Sequence, residues 1–251
     1  MRGALSLATA AILAASLAAQ DATFFRDPKA KDLFTAARIA VTGGPSGLAR
    51  LRALLLKGRS RIPDSGGTLV DAMVEIRILL PDHYLRLDSG SFGRRLTGYA
   101  ATVTLNAVEG EAGRTAAGAD AAVLQANRSE LARLMLGTLT YASEEMPLKL
   151  MTRETLVEMP GPADPLGVDV IGEKGFTTRL IVDAKTRMPA RLTYWGADRS
   201  VLTTTFEDRR NVAGLRLPHH IVTTAGDRVV DEVSLVDVAV NPPLTKATFT
   251  K

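Results

Sequence analysis

Cysteine is absent from the 251-residue sequence, and residues that stack or catalyse are scarce: three histidines, one tryptophan and an aromatic fraction of 5%. Without cysteine the chain forms no disulfide, no thiolate zinc site and no thiol nucleophile. The low aromatic content argues against a platform on which bases or sugar rings stack. Stability must therefore come from a core, for which the hydrophobic fraction of 46% is ample.

The sequence has no concentrated charge of one sign. The formal net charge is +4, and the densest basic pairs, Arg94-Arg95 and Arg209-Arg210, are isolated. A nucleic-acid surface needs basic residues clustered on one face. We therefore expect no nucleic-acid partner.

Long apolar runs are missing except at the beginning of the chain. Met1-Arg2-Gly3 carries one positive charge, residues 4–19 are uncharged and end in small side chains, and Gln20-Asp21 follows. This order is typical of a cleaved secretory signal, and the run is shorter than the about 20 apolar residues of a membrane-spanning helix. We predict a signal peptide over residues 1–19, one domain over residues 20–251, and no transmembrane segment after cleavage.

Two segments have helical spacing. Asp27-Pro28 is a typical helix start, and Gly43-Gly44 is a typical helix end. Residues 119–139 place Leu124, Leu131 and Met135 on one side of a second helix.

The rest of the chain alternates apolar and polar residues, which predicts half-buried strands. Short connections with turn residues indicate antiparallel hairpins. The predicted fold class is mainly β with a few helices: one curled antiparallel sheet of about eleven strands, forming an unclosed barrel with helices as lid or plug. The later strands are predicted at residues 149–157, 166–172, 176–183, 190–195, 201–208, 219–224 and 228–240.

Groups suited to catalysis are scarce. His219 and His220 are adjacent on a predicted strand, so their rings face opposite sides and do not share a metal. No nucleophile elbow, phosphate-binding loop or dinucleotide-binding fingerprint occurs. We predict no catalytic residue, no metal site and no cofactor, and we expect a protein that is not an enzyme. A hydrolase built on paired carboxylates is the less favoured alternative.

The inner face of a curled sheet can hold an apolar ligand or be filled by the helix, and spacing alone does not separate these cases. If a cavity exists, its lining should come from one alternation phase per strand. The predicted ligand-binding residues are Ile76, Ile78, Leu87, Val103, Leu105, Leu131, Met135, Leu180, Val182 and Leu235.

Several segments in order resemble the LolA/LolB-like family of periplasmic lipoprotein carriers. The resemblance lies in Gly43-Gly44 with the leucines that follow, residues 74–86, Asn211 to Pro218, and residues 240–249. It implies an unclosed β-barrel with a helical lid, located in the bacterial periplasm, that carries a lipid or lipoprotein acyl chain. We expect the chain to be a monomer. The chain is longer than the founding carriers, and without cysteine it has no lipid anchor like that of LolB.

The same fold also serves as a sensor or interaction module, so two functions stay open. The first is carriage of an apolar ligand. The second is contact with an envelope protein partner, with a filled barrel.

Overall fold

The computed structural model describes residues 28–44, 47–64, 66–108, 121–141, 166–172 and 175–249. The predicted signal peptide and the predicted strand over residues 149–157 lie outside these residues. The described part contains two α-helices, twelve strands and one short 3-10 helix. The helices are α1 (Pro28–Thr42) and α2 (Ala121–Leu139), and the 3-10 helix is Lys246–Phe249.

The strands follow the chain in two groups. The first group is β1 (Ala53–Pro63), β2 (Leu69–Leu79), β3 (His83–Gly90), β4 (Gly93–Ala100), β5 (Val103–Thr104) and β6 (Ala107–Val108). The second group is β7 (Gly167–Ile171), β8 (Thr177–Val182), β9 (Pro189–Trp195), β10 (Val201–Val212), β11 (Leu215–Ala225) and β12 (Arg228–Val240).

All twelve strands form one antiparallel sheet that does not close on itself. Its order is β5-β4-β3-β2-β1-β12-β11-β10-β9-β8-β7, and β6 pairs with β4. Each group is a run of sequential hairpins, and the first and last long strands, β1 and β12, join the two groups. The predicted fold class, an unclosed antiparallel half-barrel with helices, is confirmed.

The hydrophobic core lies between the inner face of the sheet and the helices. Phe34, Ala37 and Val41 recur at helical spacing on α1 and are buried. On α2, Leu131, Met135 and Leu139 are fully buried and pack with inward residues of the strands. Burial of these stripes holds both helices against the sheet, since isolated helices of this length are marginal in water. Neither helix in the described ranges has the length and apolarity to cross a membrane.

The hairpin between β10 and β11 differs from the predicted one. The sequence predicts strand ends at residues 208 and 219, with a turn between them. In the structure the turn is Ala213-Gly214, both with positive φ, and Pro218 lies inside β11 opposite Arg209. The glycine after Ala213 supplies the left-handed conformation that a tight hairpin needs, so the pairing continues past Pro218.

Candidate functional site

A cavity of about 270 Å³ lies between α2 and the inner face of the sheet. Its walls come from β2 and β3 in the first group of strands, from β9 to β12 in the second group, and from α2. Much of the lining is apolar: Ile76, Leu192, Leu202, Phe206, Ile221 and Val233. The cavity is partly open to solvent, so a ligand has a route into it.

A buried ion cluster forms one wall of the cavity. The Arg86 guanidinium donates to both carboxylate oxygens of Asp231, at 2.7 and 2.8 Å, and its Nε donates to Asp88 at 2.9 Å. Ser60 Oγ donates to the other Asp88 oxygen at 2.7 Å. Burial acts to lower the pKa of Arg86, but the Asp231 and Asp88 carboxylates outweigh it and raise that pKa well above its usual value. Arg86 is therefore a fully paired cation.

Glu130 of α2 is attached to the same wall. The Tyr84 hydroxyl donates to Glu130 Oε1 at 2.6 Å. Burial is the main cause that raises the pKa of Glu130, and the nearby Asp231 and Asp88 carboxylates add to it, although Arg86 and the Tyr84 hydrogen bond oppose the change. Burial and Glu130 likewise raise the pKa of Tyr84. This hydrogen bond ties the middle of α2 to β3.

Arg133, three residues further along α2, faces the opposite wall. Its guanidinium carbon lies 4.0 Å from the ring centroid of Tyr194 and 5.1 Å from that of Phe176. Its Nε contacts Thr178 Oγ1 at 3.4 Å. Burial lowers the pKa of Arg133. Among the described residues, no carboxylate lies within ion-pair distance of this guanidinium.

Arg209 of β10 fixes the carboxyl end of α2. It donates to the carbonyls of Gly137 and Thr138, at 2.9 and 3.1 Å, and to those of Pro189 and Arg216, at 2.7 and 2.9 Å. Burial lowers the pKa of Arg209 to about 10. The last carbonyls of a helix lack partners within the helix, so a cation placed there both caps and stabilises its end.

The ten predicted ligand-binding residues lie in the cavity lining, in the core around the cavity, or outside both. Ile76 lines the cavity. A second set is buried in the core around the cavity: Ile78, Leu131, Met135, Leu180, Val182 and Leu235. Their contact with a ligand stays a prediction.

Leu87, Val103 and Leu105 lie outside the cavity lining. Val103 is 55% exposed on β5 and Leu105 is half-buried just after it. Leu87 alternates with Tyr84 and Arg86, which face inward, so it lies on the outer face of β3. The interpretation assigned the inner face to the apolar phase of β3, whereas the structure gives it to Tyr84, Arg86 and Asp88.

The charged residues of the cavity were missed by the sequence interpretation. A signal for them exists in the sequence. Arg86 and Asp88 are two residues apart, so they lie on the same face of β3, and Asp231 lies on the inner face of β12. Such residues are normally assigned to solvent, because only the fold brings their charges together.

The three histidine side chains do not contact one another. His83 is buried, bonds Asp82 and contacts the Phe249 ring edge-on. His219 is buried on β11, and His220 faces the other way, between Glu207 and Glu232. Within the described ranges no group of three or more histidine, aspartate or glutamate side chains is arranged so that it could hold a metal ion.

Comparison with known proteins identifies the fold. A LolA superfamily protein from Nitrosomonas europaea is similar with a TM-score of 0.50 at 12% identity, over 88% of this chain and 97% of that one. A domain from Vibrio parahaemolyticus, named for outer membrane lipoprotein sorting, gives 0.46 at 10% identity, over 88% and 97%. A DUF1329 family protein from Desulfovibrio piger gives 0.46 at 8% identity, over 89% and 98%. No family model matches the sequence, and no curated protein matches it.

Proposed function

Because the chain has the half-barrel fold of the LolA superfamily, we propose that it carries an apolar ligand, a lipid or a lipoprotein acyl chain, in the bacterial periplasm. The observation that carries this proposal is the cavity beneath α2. A helix that served only as a plug would fill the inner face, whereas Leu134 of α2 and Phe206 of β10 border open space.

The size and lining of the cavity suit one narrow ligand. Small-molecule sites usually measure about 300–1,000 Å³, and this cavity, at about 270 Å³, is slightly smaller than that range. Each buried methylene contributes about 0.8 kcal/mol, so an acyl chain seated on Leu192, Phe206 and Ile221 would gain several kcal/mol by leaving water. The proposal includes export: residues 1–19 are a signal peptide that is removed, and residues 20–251 form one domain.

One preparation tests both parts of the proposal. The protein is expressed in a bacterium and recovered from the periplasmic extract. Its intact mass should show cleavage after Ala18 or Ala19, and mass spectrometry of an organic-solvent extract should find co-purified lipid. Recovery of the uncleaved chain in the cytoplasm alone would contradict export. A protein that holds no lipid and takes up no fluorescent fatty acid would contradict carriage.

A paired substitution places the uptake in the cavity. Leu202 lines the cavity, and its neighbour Val201 is exposed on the other face of β10. Leu202→Trp should fill the space and reduce fatty-acid uptake about tenfold or more, while Val201→Trp should leave uptake unchanged. Equal uptake by both variants would show that the fatty acid binds elsewhere.

The interaction module is the second candidate. Full burial of Leu131, Met135 and Leu139 supports it, since much of the inner face is already filled by α2. On this alternative the cavity stays empty and periplasmic cross-linking recovers a specific protein partner. A ligand-free protein without such a partner would count against it.

A further inference from the structure

We infer that the ligand of this cavity is an anionic amphiphile, whose carboxylate or phosphate head pairs with Arg133 while its apolar tail lies on Leu192 and Phe206. The inference rests on the proposed carrier function and names the ligand class for it. The cavity is bordered by buried charge as well as by apolar side chains, so a purely hydrocarbon ligand does not match its walls.

Two arginines line the cavity, and only one of them is neutralised. Arg86 is held by the two carboxylates of Asp88 and Asp231 in close hydrogen-bonded pairs. Arg133 makes no such pair with any described residue. Glu130, one turn earlier on α2, acts on Arg133 through space, but its Oε1 is engaged by the Tyr84 hydroxyl. The positive charge of Arg133 is thus available to a ligand.

The surroundings of Arg133 hold its guanidinium in place. Tyr194 and Phe176 each present a ring face within about 6 Å, and the Thr178 hydroxyl contacts its Nε. Aromatic faces attract a cation, but they do not replace the hydration that burial removes, so the charge remains under-compensated. An entering anion can bond the remaining guanidinium N–H groups, and such charge-assisted bonds are stronger than neutral ones.

The position of Arg133 also sets the direction of the ligand. The next residue, Leu134, borders the same cavity, as do Leu192 and Phe206 of the strands beneath it. A head bound at Arg133 therefore leaves its tail next to apolar side chains. A neutral amphiphile would leave Arg133 unpaired, and a cationic one would be repelled by it.

The test compares amphiphiles with one tail and different heads. Hexadecanoate, hexadecyl phosphate, hexadecanol and hexadecyltrimethylammonium are titrated into the purified chain by calorimetry, below the concentrations at which they form micelles. Both anions should bind about tenfold or more tightly than hexadecanol, and the cation should bind most weakly. Whichever anion binds more tightly identifies the head that the site prefers.

Three variants locate the charge effect. Arg133→Met keeps the length of the side chain and should reduce the preference for anions to about onefold, while Arg133→Lys keeps the charge and should retain most of it. Arg191→Met is the matched control, because Arg191 is exposed on the outer face of β9. Circular dichroism establishes that each variant is folded, and the comparison of heads in the unaltered chain depends on no variant.

The outcomes separate the two proposals. If none of the amphiphiles binds, the carrier function fails and the inference fails with it. If hexadecanol binds as tightly as hexadecanoate, or Arg133→Met keeps the preference for anions, carriage stands and the inference is overturned. Acetate and inorganic phosphate are titrated as well, and binding as tight as that of the tailed anions would show a small-anion site and also overturn it.

Discussion

Three charged residues inside the half-barrel, Arg86, Asp88 and Asp231, are paired with one another, and this pairing explains how they can be buried. Arg86 and Asp231 face each other across the inner surface with two hydrogen bonds, and Asp88 is shared between Arg86 and Ser60. Burial of a lone ion costs several kcal/mol, whereas a fully bonded cluster recovers much of that cost. Removal of Arg86 would leave the Asp88 and Asp231 carboxylates without the cation that they share.

Glu130 gives the cavity a pH dependence that can be measured. Its pKa is raised above 4.5 in the folded protein, chiefly by burial, so the folded state binds its proton more tightly than the unfolded state does. This group therefore costs stability as pH rises from its ordinary range to its raised pKa. Glu130→Gln keeps an acceptor for Tyr84 and carries no charge. The free energy of unfolding of this variant should therefore increase, relative to that of the unaltered chain, as pH rises across that interval.

Urea unfolding at a series of pH values measures this difference. Glu75→Gln is the control, because Glu75 forms ion pairs with Lys57 and Arg77 on the outer face and its loss should bring no gain at higher pH. A Glu130→Gln difference that stays constant with pH, or falls, would contradict the expected effect of burial.

At the residue scale the sequence predicts burial better than it predicts the face of a strand. Ile76, Ile78 and Leu180 are buried as alternation suggests. Leu87 is not in the cavity, since a shift of one residue exchanges the two faces and alternation does not say which face is inward. Val103 follows a turn at Ala101, where φ is positive, and is exposed. In β3 the residues that face inward are determined by the hydrogen bonds of Arg86 with Asp231 of β12. No local sequence pattern predicts those bonds.

At the scale of elements, α2 approaches β10 closely because Gly137 has no side chain. A methyl group added at Gly137 would overlap the ring of Phe206. Arg209, three residues further along β10, bonds the carbonyls of Gly137 and Thr138 and holds the end of the helix in this position. The glycine and the arginine together fix where the lid meets the sheet.

Gly137→Ala should reverse the usual effect of that substitution. In an exposed helix alanine is more stable than glycine by about 1 kcal/mol. Here overpacking against Phe206 should dominate and lower the free energy of unfolding by about 1–3 kcal/mol. In a Phe206→Leu background the same change should cost much less, and the double-mutant cycle from urea denaturation gives the coupling. Additive effects of the two substitutions would contradict a direct clash.

The sequence locates elements well where their boundaries depend on local chemistry. Helix α1 begins at Pro28 and ends before Gly43, and β12 spans residues 228–240 as predicted. It predicts β10 and β11 too short at the turn between them, because Pro218 indicates a strand boundary. The register of β10 on β11 places Pro218 opposite Arg209, and pairing between strands decides the boundary there.

At the scale of the whole molecule, the pairing of β1 with β12 joins two runs of hairpins into one sheet. Leu54 pairs with Val240 and Arg61 with Glu232, so the centre of the sheet is made from strands far apart in the chain. The curled sheet and its approximate number of strands can be predicted from composition and alternation. The order of the strands cannot, because no local sequence pattern indicates that β1 pairs with β12.

Amide hydrogen exchange should reflect this arrangement. β1, β11 and β12 lie at the centre of the sheet with partners on both sides, whereas β5 and β6 are two-residue strands that pair only with β4. Exchange should be slowest in the central strands and faster by orders of magnitude in β5 and β6. Mass spectrometry of peptides after timed exchange checks this, and equal protection of the two regions would contradict it.

The seam between β1 and β12 also has a consequence for the order of folding. Each run of hairpins can form from neighbours in the chain, with short loops and little entropy lost in closing them. The seam closes a far longer loop, so it should form after the hairpins and limit the rate, as contacts between distant residues generally do. Until β12 pairs with it, β1 has β2 as its only partner strand. We therefore expect the centre of the half-barrel to assemble last.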